Sequence, residues 1–132
     1  MSESSVNLAP FDAIGGEARV RELVDRFYDL MDIEPEFAGI RSLHPNTLDD
    51  SRDKLFWFLC GWMGGPNHYV ERFGHPRLRA RHLPFPIASA ERDQWLACMG
   101  RAMHDVEVAE PLRARLLESF RGTADWMRNR EG

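Results

Sequence analysis

His82 has the residue type and setting that could do chemistry. It lies in the run RARHLPF (residues 79–85), where Pro84 stops a short helix just beyond it, so the ring projects from a fixed point. A ring nitrogen held in this way serves as a metal ligand, haem iron included, whereas a histidine among arginines also serves as an ordinary capping or surface residue. His68, His75 and His82 recur at steps of seven, which on one unbroken helix would gather them on a side. Gly74 and Pro76 interrupt that helix, and no cysteine or carboxylate stands at zinc-site spacing, so a three-histidine metal centre is disfavoured. The sequence has no Gly-x-Ser-x-Gly elbow, phosphate loop or His-Glu-x-x-His pair, which removes the usual parts of hydrolase and nucleotide chemistry.

Tyr28 and Trp95 are the next candidates, because each falls on an inward helical stripe while carrying a donor that must find a partner when buried. Phe27, Leu55, Phe58 and Met99 lie on or near the same stripes and suit either a pocket wall or simple packing. Arg77, Arg79 and Arg81, with Tyr69 and His75 nearby, concentrate donors in an otherwise acidic chain. They read as a solvated basic face or as partners for an anionic ligand edge, since guanidinium matches a carboxylate in two-pronged fashion.

The elements that must hold these side chains are helices. After Gly15-Gly16, the residues Val20, Leu23, Val24, Phe27 and Leu30/Met31 keep three- and four-residue steps, which predicts a helix of about four turns. Glu34-Pro35 ends it, and only a short helical piece fits between Glu36 and Arg41 before the turn at His44-Pro45-Asn46. A second helix is expected from an N-cap at Asp49, Asp50 or Ser51, apolar almost all round from Leu55 to Met63, and stopped by Gly64-Gly65-Pro66. From Asn67 to Pro86 the glycines and prolines allow at most a turn or two, best placed at Arg77 to His82. Ser89 is the expected cap of a third helix carrying Trp95, Leu96, Met99, Met103 and Val106. Pro111 is expected to open a fourth with Leu112, Leu116, Phe120, Ala124 and Met127 inward. Four long helices with a loop-rich segment between the pairs make a small all-α sandwich.

Composition sets the outer bounds. The 132 residues, 43% hydrophobic and 29% charged, suit one globular domain, with residues 1–10 expected as a flexible arm and 11–132 as the domain. A net charge of -4 argues against nucleic acid and against an anionic membrane surface. The longest apolar run, Leu55 to Met63, is about half the length of a bilayer span. Met1 to Pro10 resemble neither a signal nor a transit peptide. Cys60 and Cys98 sit in apolar segments without CxxC spacing, which suits buried thiols and a cytoplasmic location.

Together these pieces resemble the group II truncated haemoglobins: Gly15-Gly16, Phe27-Tyr28, Gly64-Gly65-Pro66, the run GHPRLRARHLPF, and ERDQW followed by Met99, over roughly Phe11 to Met127. The resemblance implies an all-α truncated globin fold, a two-over-two helical sandwich enclosing haem b, held non-covalently since there is no CxxCH. His82 is then the implied proximal iron ligand, with Tyr28 and Trp95 as distal donors and Leu55, Ser51 and Phe58 on the distal wall. Arg81, helped by Arg79 and Tyr69, would meet the haem propionates, and Phe27, Phe85 and Met99 complete the haem-binding set. His44 stands where relatives carry Tyr, Phe or His, and either Tyr28 or His44 is a candidate for the sixth iron position in the absence of another ligand.

The implied ligands are dioxygen, nitric oxide and carbon monoxide. Neutral His82 donates electron density to iron, and two donors opposite it stabilise the partial negative charge on bound dioxygen. Slow oxygen release is therefore expected. That favours nitric oxide dioxygenation, peroxide chemistry or gas sensing over bulk transport, with a reductase partner wherever there is turnover, and a monomer or homodimer as the working unit. The competing reading is a helical partner-binding module without haem, whose aromatics merely pack.

Overall fold

A computed structural model describes residues 9–130. Its long helices are α2 (Glu17–Ile33), α4 (Asp49–Trp62), α7 (Ser89–Asp105) and α8 (Leu112–Trp126). Between and before them lie α1 (Pro10–Ile14), a 3-10 turn (Pro35–Phe37), α3 (Ala38–Arg41), α5 (His68–Phe73) and α6 (Leu78–His82). The helix α2 packs against both α4 and α7, and α7 packs against α8, so one pair lies across the other as a two-over-two sandwich. Among the described residues there is no strand.

The core follows the expected stripes. Val20, Leu23, Val24, Phe27 and Met31 of α2 meet Leu96, Met99, Ala102 and Met103 of α7, and Leu116 and Phe120 of α8 close the far side. Cys60 and Cys98 are fully buried free thiols. Cys98 Sγ donates to the Phe27 carbonyl at 3.2 Å.

Several boundaries differ from the sequence reading. Of the expected arm, residues 1–10, the first eight lie outside the described residues, and Pro10 already begins α1. Phe11 then packs so closely on Gly65 that a Cβ there would come within 2.5 Å of its ring. That contact, with Phe11 N–H donating to the Met63 carbonyl at 2.9 Å, explains why Gly64-Gly65 follows α4: Gly64 has φ 93° and Gly65 must carry no side chain. Ser89 is the first residue of α7 rather than its cap, and the Glu91 carboxylate accepts the Ala88 N–H at 2.8 Å instead. Asp49 likewise opens α4 from within, and Asp49 and Asp50 favour its positive end. Pro111 occupies the cap position of α8. The segment 67–86 holds two short helices where one was expected. The α5 helix runs only from Asn67, its cap, to Gly74 at φ 76°, too short for a period to show.

Candidate functional site

His82 is the last residue of α6, a helix of five residues. Its Nδ1 lies 2.7 Å from the Leu78 carbonyl, one turn back, so Nδ1–H donates there and Nε2 keeps a bare lone pair. A helix this short needs outside support. Asn129, just beyond α8, provides it: its Nδ2 donates to the His82 and Phe85 carbonyls at 3.1 and 2.9 Å, while its Oδ1 accepts the Ile87 N–H at 3.0 Å. Arg79 adds a second tie, donating to the Trp126 and Arg128 carbonyls at 2.7 and 3.1 Å with its guanidinium over the Trp126 ring.

His82 borders a cavity of about 490 Å³, within the size range of small-molecule sites. The α2 helix contributes Tyr28, α4 contributes Ser51, Lys54, Leu55 and Phe58, and α7 contributes Trp95. His44, Tyr69, Arg81 and Phe85 also line it, as do Phe120 and Met127 at the back. Trp62 stacks on Phe120 at 4.5 Å, and Trp95 lies 5.3 Å from the same ring, which makes an aromatic rear wall.

Tyr28 is 5% exposed, and its hydroxyl takes no hydrogen bond from the described residues; burial holds its phenol protonated, with a pKa well above the usual one. The ring is fixed by Phe27 edge-on at 5.0 Å and by the Arg52 guanidinium at 5.9 Å, itself bound to Asp29 and Asp25. Trp95 is held by Phe27 at 5.2 Å and also finds no acceptor for its indole N–H among the described residues. Two donors therefore face the cavity unpartnered. His44 differs from them. Its Nδ1–H donates to the Ile40 carbonyl at 2.8 Å, which leaves Nε2 as an acceptor, and burial lowers its pKa so that the ring is neutral. Arg41 pins the loop around it, binding Asp32 at 2.9 Å and the Pro45 and Asn46 carbonyls at 2.8 and 2.7 Å.

Three of the expected pocket residues stand elsewhere. Phe27 and Met99 are 1% and 0% exposed and do not line the cavity; Phe27 lies behind Tyr28 and Trp95, and Met99 lies one turn beyond Trp95 in the core. Arg79 does not line it either, because its guanidinium is engaged at the end of α8. The three histidines do separate jobs: His68 meets Glu17 at 3.2 Å, His75 accepts the Arg77 N–H at 3.0 Å, and His82 faces the cavity. Among the described residues no cluster of three or more His, Cys, Asp or Glu could hold a metal ion. The sequence reading missed Asn129, Arg41 and Lys54. None carried a signal, since each is a lone polar residue in a polar stretch.

The cavity also suits a planar, two-faced group with an acidic edge. Its walls are mostly apolar, a bare imidazole nitrogen and two donors line it, and Lys54 and Arg81 border it without a carboxylate partner among the described residues. A helical sandwich with this cavity is a globin. The family model for bacterial-like globins matches residues 9–129, and the chain belongs to that family. It is similar to the group 2 truncated hemoglobin of Bacillus subtilis, at 40% identity over 121 residues covering 92% of this chain and 89% of that one. Among solved structures, the group II 2-on-2 hemoglobin from the plant pathogen Agrobacterium tumefaciens superposes with a TM-score of 0.91 at 44% identity, covering 98% of this chain and 99% of that one. A truncated oxygen-avid haemoglobin from Bacillus subtilis gives 0.84 at 41% identity, over 92% and 100%. The resemblance to group II truncated haemoglobins thus holds, with haem as the cofactor, and the haem-free module is set aside. No helix among the described residues is long and apolar enough to cross a membrane.

Proposed function

We propose that His82 Nε2 ligates the iron of haem b from one side, that Tyr28 and Trp95 donate to a diatomic gas on the other, and that the protein retains oxygen for chemistry or sensing instead of delivering it. The haem supplies the iron that binds the gas. The observation that carries this reading is the pairing of one bare imidazole nitrogen with two donors, buried Tyr28 and half-buried Trp95, that find no acceptor among the described residues around a single cavity.

The chain's own residues have distinct tasks. The Leu78 carbonyl holds the His82 ring and strengthens its basicity. Arg81 and Lys54 pair with the propionates at the rim, and Tyr69 and Phe85 cover the edges beside them. Ser51, Leu55 and Phe58 form the distal wall. Tyr28 and Trp95 have no acceptor to give up among the described residues, so both donors are available to a ligand in the cavity. His44, an acceptor in this tautomer, adds no donor; its task is to receive the proton of a neighbouring donor or of a bound water. A related Bacillus subtilis protein is described as oxygen-avid, which agrees with retention. Nitric oxide dioxygenation, peroxide use and gas sensing all draw on a retained ligand.

Stopped-flow oxygen dissociation from the ferrous protein tests the proposal. Tyr28→Phe and Trp95→Phe should each speed release about tenfold, the equivalent of one hydrogen bond of ~1.4 kcal/mol. Native off-rates in both variants would remove the two donors from this account.

A further inference from the structure

Gln94 stands next to Trp95 on α7 and turns elsewhere. Successive helical residues lie about 100° apart around the axis, so Trp95 borders the cavity while the half-buried Gln94 reaches α3. There its Oε1 accepts the Ile40 N–H at 3.1 Å. Ile40 is the third residue of α3, and an N–H in the first turn of a helix has no partner within that helix. Four residues hold no helix alone, so α3 draws support from α7.

The carbonyl of the same residue leads to the cavity. It accepts the Leu43 N–H at 3.1 Å and the His44 Nδ1–H at 2.8 Å, and Ile40 itself is buried on the cavity wall. Gln94 and His44 are thus joined through the main chain of one residue. Gly39 makes the room for this link: a Cβ there would lie 2.7 Å from both Oε1 and Nε2 of Gln94. Its backbone is not left-handed, so the close approach of that amide is what the missing side chain accommodates, in a helix that glycine otherwise weakens.

We propose that Gln94 is a positioning residue of the distal pocket: by holding the Ile40 main chain it keeps the His44 ring in the Nδ1–H tautomer, so that the nitrogen left to the cavity is an acceptor. His44 counts as a distal group under the haem reading above, on which this step rests. The consequence is a choice of ligand. Tyr28 and Trp95 bring two donors and His44 one acceptor, a set that only a guest with both an acceptor atom and a proton, such as water or hydrogen peroxide, satisfies in full. A ring free to take the other tautomer would offer a third donor, which suits a guest that only accepts.

Nitrogen NMR of the imidazole rings in the ferrous carbon monoxide form tests it, because protonated and bare ring nitrogens resonate far apart. Native His44 should show a protonated Nδ1 and a bare Nε2. Gln94→Leu removes the acceptor. Gly39→Ala displaces the amide, the far end of a flexible side chain, while favouring the helix by propensity. Both variants should populate both tautomers, which draws the two His44 nitrogen shifts together. Both should also add a C–O stretching band at lower frequency, since an N–H beside the ligand stabilises negative charge on its oxygen and a lone pair opposes it. Gln94→Glu keeps an acceptor oxygen and should keep the native shifts and band. His82, whose Nδ1–H donates to Leu78, should be unchanged in all three. Native His44 shifts in folded Gln94→Leu and Gly39→Ala would overturn the link and leave Gln94 a cap of α3. A native protein with no Soret band would instead overturn the haem reading, and the nitrogen shifts, which need no haem, would still decide the link.

Discussion

Hydrogen bonding to a carbonyl one turn back gives His82 and His44 the same tautomer, with Nδ1–H donating and Nε2 bare. Their neighbours separate them: His82 is tied through Asn129 to the end of α8, and His44 sits beside the donor Tyr28, whose ring lies 5.8 Å away. Because burial keeps the His44 pKa below 6.5, the folded apoprotein binds fewer protons than the unfolded chain just below that pH. Its contribution is therefore lost as pH falls through about 6.5, so urea unfolding of the apoprotein between pH 7.5 and 5.5 should show a smaller loss in His44→Leu than in the native chain. The thiols behave oppositely. Burial raises Cys60 to about 11 and Cys98 to about 12, so neither is thiolate near neutral pH, and Ellman's reagent should find no reactive thiol until the protein unfolds.

Among the elements, α6 depends most on others. Its five residues cannot hold a helix alone, and the Asn129 side chain and Arg79 hold it from the chain beyond α8. Asn129→Ala should strip the His82 and Phe85 carbonyls of a partner, cost about 1–3 kcal/mol, and speed hemin transfer to apomyoglobin about tenfold or more, measured by the Soret shift. The long helices were legible because burial of one face imposes a period, and the core stripes of α2, α7 and α8 follow it. Neighbouring residues on such a helix were harder to tell apart. Phe27 and Tyr28 are successive, about 100° apart around the axis, and only the second faces the cavity. Arg79 and Arg81 are two apart and diverge by about 200°, so one turns to α8 and the other to the cavity. Nothing in the tail around Asn129 distinguishes it, since its partners are main-chain carbonyls distant in sequence and any sequence offers those.

At the scale of the whole molecule, a cavity of about 490 Å³ lies among the long helices where side chains do not fill the space, so an occupant bound there adds to the stability of the fold. Hemin binding the folded chain alone raises stability by mass action, about 2.7 kcal/mol at a hundredfold excess over its dissociation constant. The account's central claim is that His82 holds that haem, and absorption spectroscopy of the reconstituted His82→Gly variant tests it most directly. It predicts loss of the native Soret and visible bands with return on adding imidazole, which fills the space left by the side chain. A His82→Gly protein that keeps the native spectrum without imidazole would contradict it.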